Sequence, residues 1–501
     1  MHTKAFLLSL ATFAGSATAA TFSWTGAAGD HDWHNKDNWN LHSVPTAADD
    51  VYVTLNGPAA IYSGHTAAAK SLYSGVGIEI YGSLQCTNTF MPDGGCILVG
   101  SMWVGRLDIK TTFDVYGGAI NPISEDSLTN IVYTGTMNLH GGADATFNTK
   151  FYVGGQLQLN NATLRVLGSA ANPVGMTVSS FGACSLFGES RIRGNDYSYL
   201  ANDGIVLLSG LNASPTIAAE MKFYNGAGAA VIVEDGAHAL IGNPAQIAFP
   251  TGKIDSGRWW VRGNSTLSFP DGRQVTSIEA MGNVILDGPQ AQFPNLHTLK
   301  RVSSTLSLDN GAFLPITPAG GFFTHEGKIE LSAGSLLSIQ GGLICTTSSL
   351  ITTRLDGLST AQAGTIYARD FAHLDGFLTA QFNAPFNRSQ NGPVALIQTG
   401  TSGDGVDSEF VNVELNTLSG QSSFSYLPYS ATLNFSCPAD LNSDGFVDDA
   451  DFVWFAQQYD TLDCNSPFMP HACTADLTGD GFVEDSDFVL FASAYNALLC
   501  D

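Results

Sequence analysis

Hydrophobic and polar residues alternate over short stretches along most of the chain, the pattern of strands that bury one side. Two apolar residues spaced one apart are followed by a turn that closes on glycine at residues 231–236, 267–272, 306–311 and 329–334. Related apolar pairs recur after 20, 22 and 23 residues, from Met137 to Leu157, from Val284 to Leu306 and from Leu306 to Ile329. Such intervals are typical of one solenoid coil. The pattern therefore predicts a parallel β-helix in which each short strand stacks on the strand one coil earlier.

These patterns divide the chain into five expected segments. We expect a signal peptide over 1–19, a Trp-rich cap with the first strands over 20–75, a β-solenoid body over 76–352, a closing β region over 353–436 and a duplicated module over 437–501. The expected fold class is all-β, a parallel β-helix or β-solenoid with a small α-helical C-terminal domain. Because the coil spacing is irregular, an array of β-sandwiches is the alternative for the body.

The first residues have the pattern of an export signal. A polar head containing Lys4 precedes an apolar run at 5–14, and Ala17 and Ala19 supply the small residues of a cleavage site near Ala19. The apolar run is shorter than the roughly 20 residues that span a bilayer, and no later segment reaches that length. We therefore expect a secreted or cell-surface protein with no membrane span, in a compartment where disulfides form.

Three tryptophans lie close together after this signal. Trp24, Trp33 and Trp39 precede the segment DDVYV at 49–53, and together these residues resemble the opening of exported bacterial repeat proteins of the autotransporter-passenger type. The resemblance implies that the aromatic side chains cover the apolar end of the first coil. The alternative is that they stack on sugar rings.

The C-terminal segment is a duplication. Residues 437–464, CPADLNSDGFVDDADFVWFAQQYDTLDC, align without a gap with residues 473–500, CTADLTGDGFVEDSDFVLFASAYNALLC. Each copy has oxygen-bearing side chains at positions 1, 3, 5, 9 and 12 of a twelve-residue loop, with glycine at position 6. Calcium takes about six to eight oxygen ligands, and alternate residues of a tight loop converge on one centre, with position 7 using its backbone carbonyl.

The duplication therefore predicts two Ca²⁺ ions. The expected ligands of the first ion are Asp440, Asn442, Asp444, Phe446, Asp448 and Asp451. The expected ligands of the second ion are Asp476, Thr478, Asp480, Phe482, Glu484 and Asp487.

An apolar stripe of helical spacing follows each loop. Its members are Phe452, Phe455, Ala456 and Tyr459 in the first copy, and Phe488, Phe491, Ala492 and Tyr495 in the second. No helix is predicted before either loop. This loop-then-helix duplication, with Asp at position 12, resembles a type I dockerin, whose paired EF-hand-like loops dock onto cohesin modules when calcium is bound. The resemblance implies a cohesin-like partner for 437–501, but positions 10 and 11, Asp449-Ala450 and Asp485-Ser486, leave the partner's identity open.

The eight cysteines fall into two groups. Those of the duplication favour one bridge in each copy, Cys437–Cys464 and Cys473–Cys500, although cross-pairings stay open. Cys86 and Cys96 are close enough in sequence to close one loop. Cys184 and Cys345 lie too many coils apart to pair, so we expect buried thiols.

Charge is unevenly distributed along the chain. Acidic residues outnumber basic ones by 45 to 20, and the net charge of −25 excludes non-specific nucleic-acid binding. Thirteen of the acidic residues lie in 437–501, which contains no Lys or Arg. We expect this segment to repel itself in the absence of calcium, so that metal binding and folding are coupled.

The body offers no catalytic motif. His31 and His34 are three residues apart without an evident partner, and we interpret them as surface or turn residues. In the Trp259–Trp260 pair, one side chain is expected in the core and the other on the surface. Glu279 and Glu330 are examples of carboxylates that distant coils could bring together, but no catalytic residue is assigned.

The sequence thus favours an exported, non-catalytic β-solenoid for adhesion or glycan contact, with calcium-dependent docking through its C-terminal module. The first alternative is a glycoside hydrolase or polysaccharide lyase carrying a dockerin tail. The second is a calcium-stabilised structural layer protein without a docking partner.

Overall fold

The computed structural model describes residues 19–245, 251–270, 272–357, 359–382, 393–416, 422–435, 438–442 and 447–497. The predicted signal peptide before Ala19, the candidate ligands Asp444 and Phe446, and Cys437 and Cys500 lie outside these residues. The described chain divides into two compact units, 19–177 with 181–183, and 178–180 with 184–497. The five sequence-based boundaries stay predictions.

Strands make up most of the described chain. In chain order to Val178 they are Thr21–Ser23 (β1), Asp50–Val53 (β2), Ala59–Ile61 (β3), Thr66–Ala69 (β4), Ser71–Ser74 (β5), Ile78–Ile80 (β6), Ser83–Pro92 (β7), Cys96–Leu98 (β8), Ser101–Ile109 (β9), Thr112–Val115 (β10), Gly118–Pro122 (β11), Leu128–Ile131 (β12), Thr136–Leu139 (β13), Asp144–Phe147 (β14), Lys150–Val153 (β15), Gln156–Asn160 (β16), Thr163–Val166 (β17) and Val174–Val178 (β18).

The strands that follow are equally short. They are Ala183–Phe187 (β19), Arg191–Arg193 (β20), Ser198–Asn202 (β21), Ile205–Ser209 (β22), Thr216–Ile217 (β23), Lys222–Asn225 (β24), Ala230–Glu234 (β25), His238–Ile241 (β26), Thr251–Ile254 (β27), Arg258–Arg262 (β28), Thr266–Ser268 (β29), Gln274–Ile278 (β30), Asn283–Asp287 (β31), Arg301–Val302 (β32), Thr305–Asp309 (β33), Phe313–Ile316 (β34), Phe322–His325 (β35), Lys328–Leu331 (β36), Leu336–Ile339 (β37), Gly342–Cys345 (β38), Leu350–Leu355 (β39), Thr365–Ala368 (β40), Phe371–His373 (β41), Phe377–Phe382 (β42), Val394–Thr399 (β43), Gly405–Val406 (β44), Asn412–Asn416 (β45), Ser422–Leu427 (β46) and Ser430–Phe435 (β47).

In the described chain only two α-helices occur, both in the C-terminal module: Asp449–Tyr459 (α1) and Asp485–Ala497 (α2). Single turns of 3₁₀ helix occur at Lys36–Asn38, Pro294–Leu296, Thr360–Gln362 and Pro470–Cys473. In the described part of the body no α-helix precedes the module.

The strands of the first unit pair in parallel, and each coil contributes strands to three faces. One face runs in the order β3, β6, β8, β10, β13, β16. A second face contains β4, β11, β14 and β17, and a third contains β2, β5, β12 and β15. The long strands β7 and β9 turn the corner and pair on both of these faces.

The second unit has a coil repeat of its own. Its first face runs from β19 through β22, β25, β28, β31, β33, β36, β39 and β42 to β45, each strand beside the next. Another face carries β27, β30, β32, β35, β38, β41 and β44. The last described coil ends differently, because β43 pairs antiparallel with β47, which pairs antiparallel with β46.

Residues that the sequence places one coil apart are register partners in the structure. Met137 pairs with Leu157, Val284 with Leu306 and Leu306 with Ile329, all in parallel strands. The inward residues of these strands are fully buried, since parallel stacking places one apolar row above the next. The parallel β-helix is therefore confirmed, and parallel pairing of the described strands before the antiparallel β43, β46 and β47 rules out the β-sandwich array.

Polar side chains inside the coil are matched from one turn to the next. Asn202 and Asn225 are register partners on β21 and β24 and are both about 1% exposed. Asn202 Nδ2 donates to Asn225 Oδ1 at 2.8 Å. Such a ladder satisfies buried amide groups that would otherwise be costly to desolvate.

The three N-terminal tryptophans form one buried cluster. Trp24 and Trp33 meet the Trp39 ring edge-to-face at centroid distances of 5.0 and 4.8 Å, and Trp39 Nε1 donates to the Trp33 carbonyl at 2.8 Å. All three are at most 2% exposed. This burial supports the cap interpretation and removes these rings from contact with sugars.

The body cysteines are all free. Cys86, Cys96, Cys184 and Cys345 are buried thiols, so Cys86 and Cys96 do not close a loop, whereas the expectation for Cys184 and Cys345 is confirmed. Burial raises the pKa of Cys86, Cys184 and Cys345 to about 12. Within the described residues, no helix is long and apolar enough to cross a membrane.

Candidate calcium-binding loops

The second loop is closed by the carboxylate of Asp487 at position 12. Its Oδ1 accepts from the Thr478 N–H at 2.8 Å and its Oδ2 from the Glu484 N–H at 2.9 Å, so position 12 is tied to positions 3 and 9. At position 1, Asp476 accepts from the N–H groups of Gly479 and Gly481 at 2.7 and 2.8 Å. These bonds join position 12 to positions 3 and 9, and position 1 to positions 4 and 6.

The first loop repeats this closure. Asp451 Oδ1 accepts from the Asn442 N–H and Oδ2 from the Asp448 N–H, both at 3.0 Å, again joining position 12 to positions 3 and 9. Asp440 at position 1 is 6% exposed. The equivalence of the two loops follows from the duplication, with Asp444 and Phe446 outside the described residues.

Both position-12 carboxylates are wholly buried. Asp451 and Asp487 are each 0% exposed, and no salt bridge to either is found among the described residues. Burial raises the pKa of Asp451, and the nearby charge of Asp440 adds to this rise while backbone N–H donors oppose it. A buried carboxylate is costly without a compensating cation, and hard oxygen ligands suit calcium. The donor chemistry of the described residues therefore suits Ca²⁺, although in the second loop no three carboxylates have oxygens within 4.8 Å of one another.

Helix α1 begins inside the first loop. Asp448 caps it by accepting from the Ala450 N–H at 2.8 Å, and Asp451 completes a capping box at the third helical position. Position 12 therefore serves both the loop and the helix. A change in its charge state would disturb both elements.

The two helices pack on one small core, but the predicted stripes are only partly buried. Phe455 and Phe491 lie in the core at 1% exposure with their ring centroids 4.9 Å apart. Phe452 and Phe488, by contrast, are each 43% exposed. The other buried members of this core are Ala439, Leu441, Val447, Ala475, Val483 and Ala494.

The disulfide pairing favoured by the sequence is wrong. Cys464 bonds to Cys473, with their Cα atoms 5.3 Å apart, so neither Cys437–Cys464 nor Cys473–Cys500 forms. The reason lies in the segment after α1, which runs beside the second loop: Cys464 N–H donates to the Gly481 carbonyl and Val483 N–H to the Leu462 carbonyl. This pairing holds Cys464 beside the second loop. The bridge closes the short linker between the copies.

The copies also exchange side-chain contacts. Tyr459 at the end of α1 donates to Asp485, and Tyr495 on α2 donates to Asp449. These aspartates occupy position 10 of the opposite loop. Position 10, which the dockerin resemblance associates with partner choice, is therefore engaged within the module.

In the body, the two carboxylates named from the sequence are ion-paired. Hydrogen bonding from Lys253 Nζ, 3.1 Å from Glu279 Oε2, lowers the pKa of Glu279. Burial acts to raise the pKa of Glu330, but Lys328 Nζ at 2.6 Å and Ser307 Oγ at 2.9 Å lower it overall. Both groups are thereby held ionised.

A third carboxyl, on the sheet that also carries Glu330, differs. Asp309 pairs in register with Asp287 on the neighbouring coil. Burial raises the pKa of Asp309, and the charges of Asp287 and Glu330 add to this rise while Arg354 opposes it. No sequence pattern points to Asp309, because the carboxylates around it come from separate coils.

The tryptophan pair of β28 is divided as expected. Trp259 is fully buried, whereas Trp260 is partly exposed, donates from Nε1 to Asp287 Oδ2 at 3.3 Å and lies 4.6 Å below the Arg262 guanidinium. Trp260 is thus the member of the pair that solvent can reach.

No protein-family model matches this chain, and no curated protein aligns with it significantly.

Proposed function

We propose that this protein is an exported β-solenoid that presents a glycan- or adhesion-type contact surface and attaches to a partner through its C-terminal module in a calcium-dependent way. One observation carries the proposal. Two equivalent loops each bury a whole carboxylate, Asp451 and Asp487, in a segment without Lys or Arg. A divalent cation in each loop would neutralise that charge.

The helices supply a surface for the partner. Phe452 and Val453 on α1, and Phe488 and Val489 on α2, are 43–66% exposed. Exposed apolar side chains rimmed by acidic groups suit a partner with an apolar patch and basic edges. Loss of calcium would unfold the helices that hold these side chains in place, so docking would depend on the metal.

Aromatic side chains on adjacent coils support the role of the body. Tyr52 and Tyr73 are register partners in the first unit, with rings 6.3 Å apart. In the second unit, Tyr199 and Tyr224 are 6.4 Å apart. Tyrosine combines an apolar face with a hydroxyl group, which suits contact with sugar rings.

The test of docking is capture of a partner from envelope and secreted fractions, using the full chain with calcium and with chelator. We expect capture only with calcium, and loss of capture in the double variant Phe452→Ser/Phe488→Ser. Phe468→Ser is the matched control, because Phe468 is 87% exposed but lies between the helices. Calcium titration of each variant shows whether the loops persist.

Two outcomes would contradict the proposal. Capture that survives chelation would remove the calcium dependence. Calcium binding that raises thermal stability, with no partner captured, would favour the structural layer protein.

The enzyme is retained as a second candidate because of Asp309. A carboxyl with a raised pKa beside a carboxylate held ionised, here Glu330, is the arrangement that acid–base hydrolysis of a glycosidic bond uses. Incubation with a panel of acidic and neutral polysaccharides should release product in the wild type and not in Asp309→Asn. Saturable binding without product would exclude this candidate for the substrates tested.

A further inference from the structure

We propose that Asp32, His34 and His65 form a binding site for one transition-metal ion of the zinc class in the N-terminal cap. One ligand atom from each of these side chains lies within 4.8 Å of the other two. The site belongs to the first unit and differs from the C-terminal loops in ligand chemistry. Two imidazoles and one carboxylate form a set that zinc prefers and calcium does not.

The backbone holds two of the three ligands in place. The segment containing Asp32 and His34 lies beside β3, where the Trp33 N–H donates to the Ala60 carbonyl at 2.9 Å and the Ala60 N–H donates to the His31 carbonyl at 2.7 Å. Asp32 Oδ1 also accepts from the His34 N–H at 2.9 Å. The carboxylate and the imidazole therefore start from a fixed relative position.

The hydrogen bonding of His34 indicates a lone pair available to a metal. Its Nε2 lies 3.0 Å from the Thr66 carbonyl oxygen, which can only accept, so Nε2 carries the proton. In the neutral imidazole, Nδ1 is then the nitrogen with the free lone pair, and it is buried without a hydrogen-bond partner, 3.8 Å from Asp32 Oδ1. Metal-binding histidines commonly donate their other N–H to a carbonyl in this way.

His65 is the movable third ligand. It lies in the turn between β3 and β4, and its ring meets that of His34 edge-to-face at 4.9 Å. Ligand atoms of a tetrahedral zinc ion are about 3.3 Å apart, given bond lengths of about 2.0–2.1 Å. Since the His65 side chain is exposed, a rotation can bring its nitrogen to that distance.

The bound ion would join the cap to the first coil. Asp32 and His34 belong to the segment that contains the buried Trp33, whereas His65 precedes β4. A shared metal ion would therefore restrain the cap from separating from the coil that it covers.

The test uses the full chain without an affinity tag, saturated with calcium so that the acidic loops do not compete. Titration with Zn²⁺ should show one site, and Co²⁺ in its place should give visible absorption from a low-symmetry, nitrogen-containing centre. We expect His65→Ala to weaken Zn²⁺ binding at least tenfold and to remove the Co²⁺ absorption. Asp32→Asn, which keeps an oxygen to accept from the His34 N–H, should weaken binding without loss of the fold.

His42→Ala is the matched control. Like His34, His42 lies near an aspartate, with its Nδ1 3.5 Å from Asp37 Oδ1, but it is not part of the Asp32–His34–His65 cluster. Its side chain is 75% exposed. Its removal should leave Zn²⁺ affinity unchanged. The proposal is overturned if His65→Ala binds Zn²⁺ as the wild type does, or if the wild type binds none.

Discussion

The solenoid body and the C-terminal module handle buried negative charge in different ways. In the body, Asp108 is 8% exposed and is held by Arg106 Nε at 2.6 Å and by Asn130 Nδ2 at 2.9 Å. In the module, Asp451 and Asp487 are 0% exposed and accept only backbone N–H donors among the hydrogen bonds observed. In the body, Asp49, 7% exposed, is held instead by backbone N–H groups and the Thr46 hydroxyl. Asp108 thus has a cation from the chain itself, whereas Asp451 and Asp487 have none among the described residues, and the predicted Ca²⁺ ions would supply that charge.

This comparison predicts that calcium removal will act on one region only. Chelation should unfold α1 and α2, because repulsion among the acidic residues is then uncompensated, and should leave the parallel sheets intact. Hydrogen exchange measured by mass spectrometry would show lost protection in 449–459 and 485–497 and none lost in the body strands. Helices that stay protected in chelator would show that the loops fold without metal.

Single ligands should separate the two loops. Asp451→Ala and Asp487→Ala should each reduce the calcium stoichiometry from two to one. Removal of one buried charged partner from a site costs about 3 kcal/mol or more, here in the free energy of calcium binding. Isothermal titration with calcium measures this directly. Asp463→Ala removes an acidic residue outside both loops and should bind two ions. A variant that still binds two ions at full affinity would contradict the assignment of position 12.

Acid should weaken the body through a buried histidine. Burial lowers the pKa of His325 to about 4 from its ordinary value of 6.5, so the unfolded chain takes up the proton first as pH falls. Stability is therefore unaffected by this residue above about pH 6.5 and falls between about pH 6.5 and 4, by roughly 3 kcal/mol. His325→Leu should remove that part of the pH dependence.

Denaturant unfolding of the body at pH 7.0 and 4.5 measures the effect. The difference between wild type and variant isolates His325 from the carboxyl groups, which titrate in both. If the free energy of unfolding changed equally with pH in the two proteins, His325 would take up its proton in the folded state as readily as in the unfolded state.

The disulfide should make the smallest contribution of these four. Cys464→Ser with Cys473→Ser opens a link between residues nine apart in sequence, which should destabilise the module by about 2 kcal/mol. Thermal unfolding of the calcium-loaded helices, followed by circular dichroism, measures it. The unfolding of the body should be unchanged, and a shift there would contradict the separation of the two regions.

The periodic part of the fold was predictable, since the interval between apolar pairs in the sequence equals the length of one coil. Register pairs such as Met137–Leu157 and Val284–Leu306 follow from intervals between apolar residues, because parallel stacking repeats the same inward row. The loop positions were equally visible, because the spacing of calcium ligands is local. Calcium binding itself stays a prediction.

Features that depend on how distant segments meet were not predictable. Cys464 pairs with Cys473 because the segment after α1 runs beside the second loop, which no local spacing reveals. His34 and His65 are distant in sequence and lie close together only because of the path that the chain takes between them. The helical pattern also did not predict that Phe452 and Phe488 are exposed, since an apolar stripe does not indicate how much of its surface the other helix covers.

The four buried thiols of the body give the protein built-in reporters of local opening. Cys86 and Cys96 lie in the first unit, and Cys184 and Cys345 in the second. Because burial raises their pKa values, they carry almost no reactive thiolate at neutral pH while the coils are closed. The rate at which a thiol reagent modifies each cysteine therefore measures how often its own coil opens, without any label or mutation.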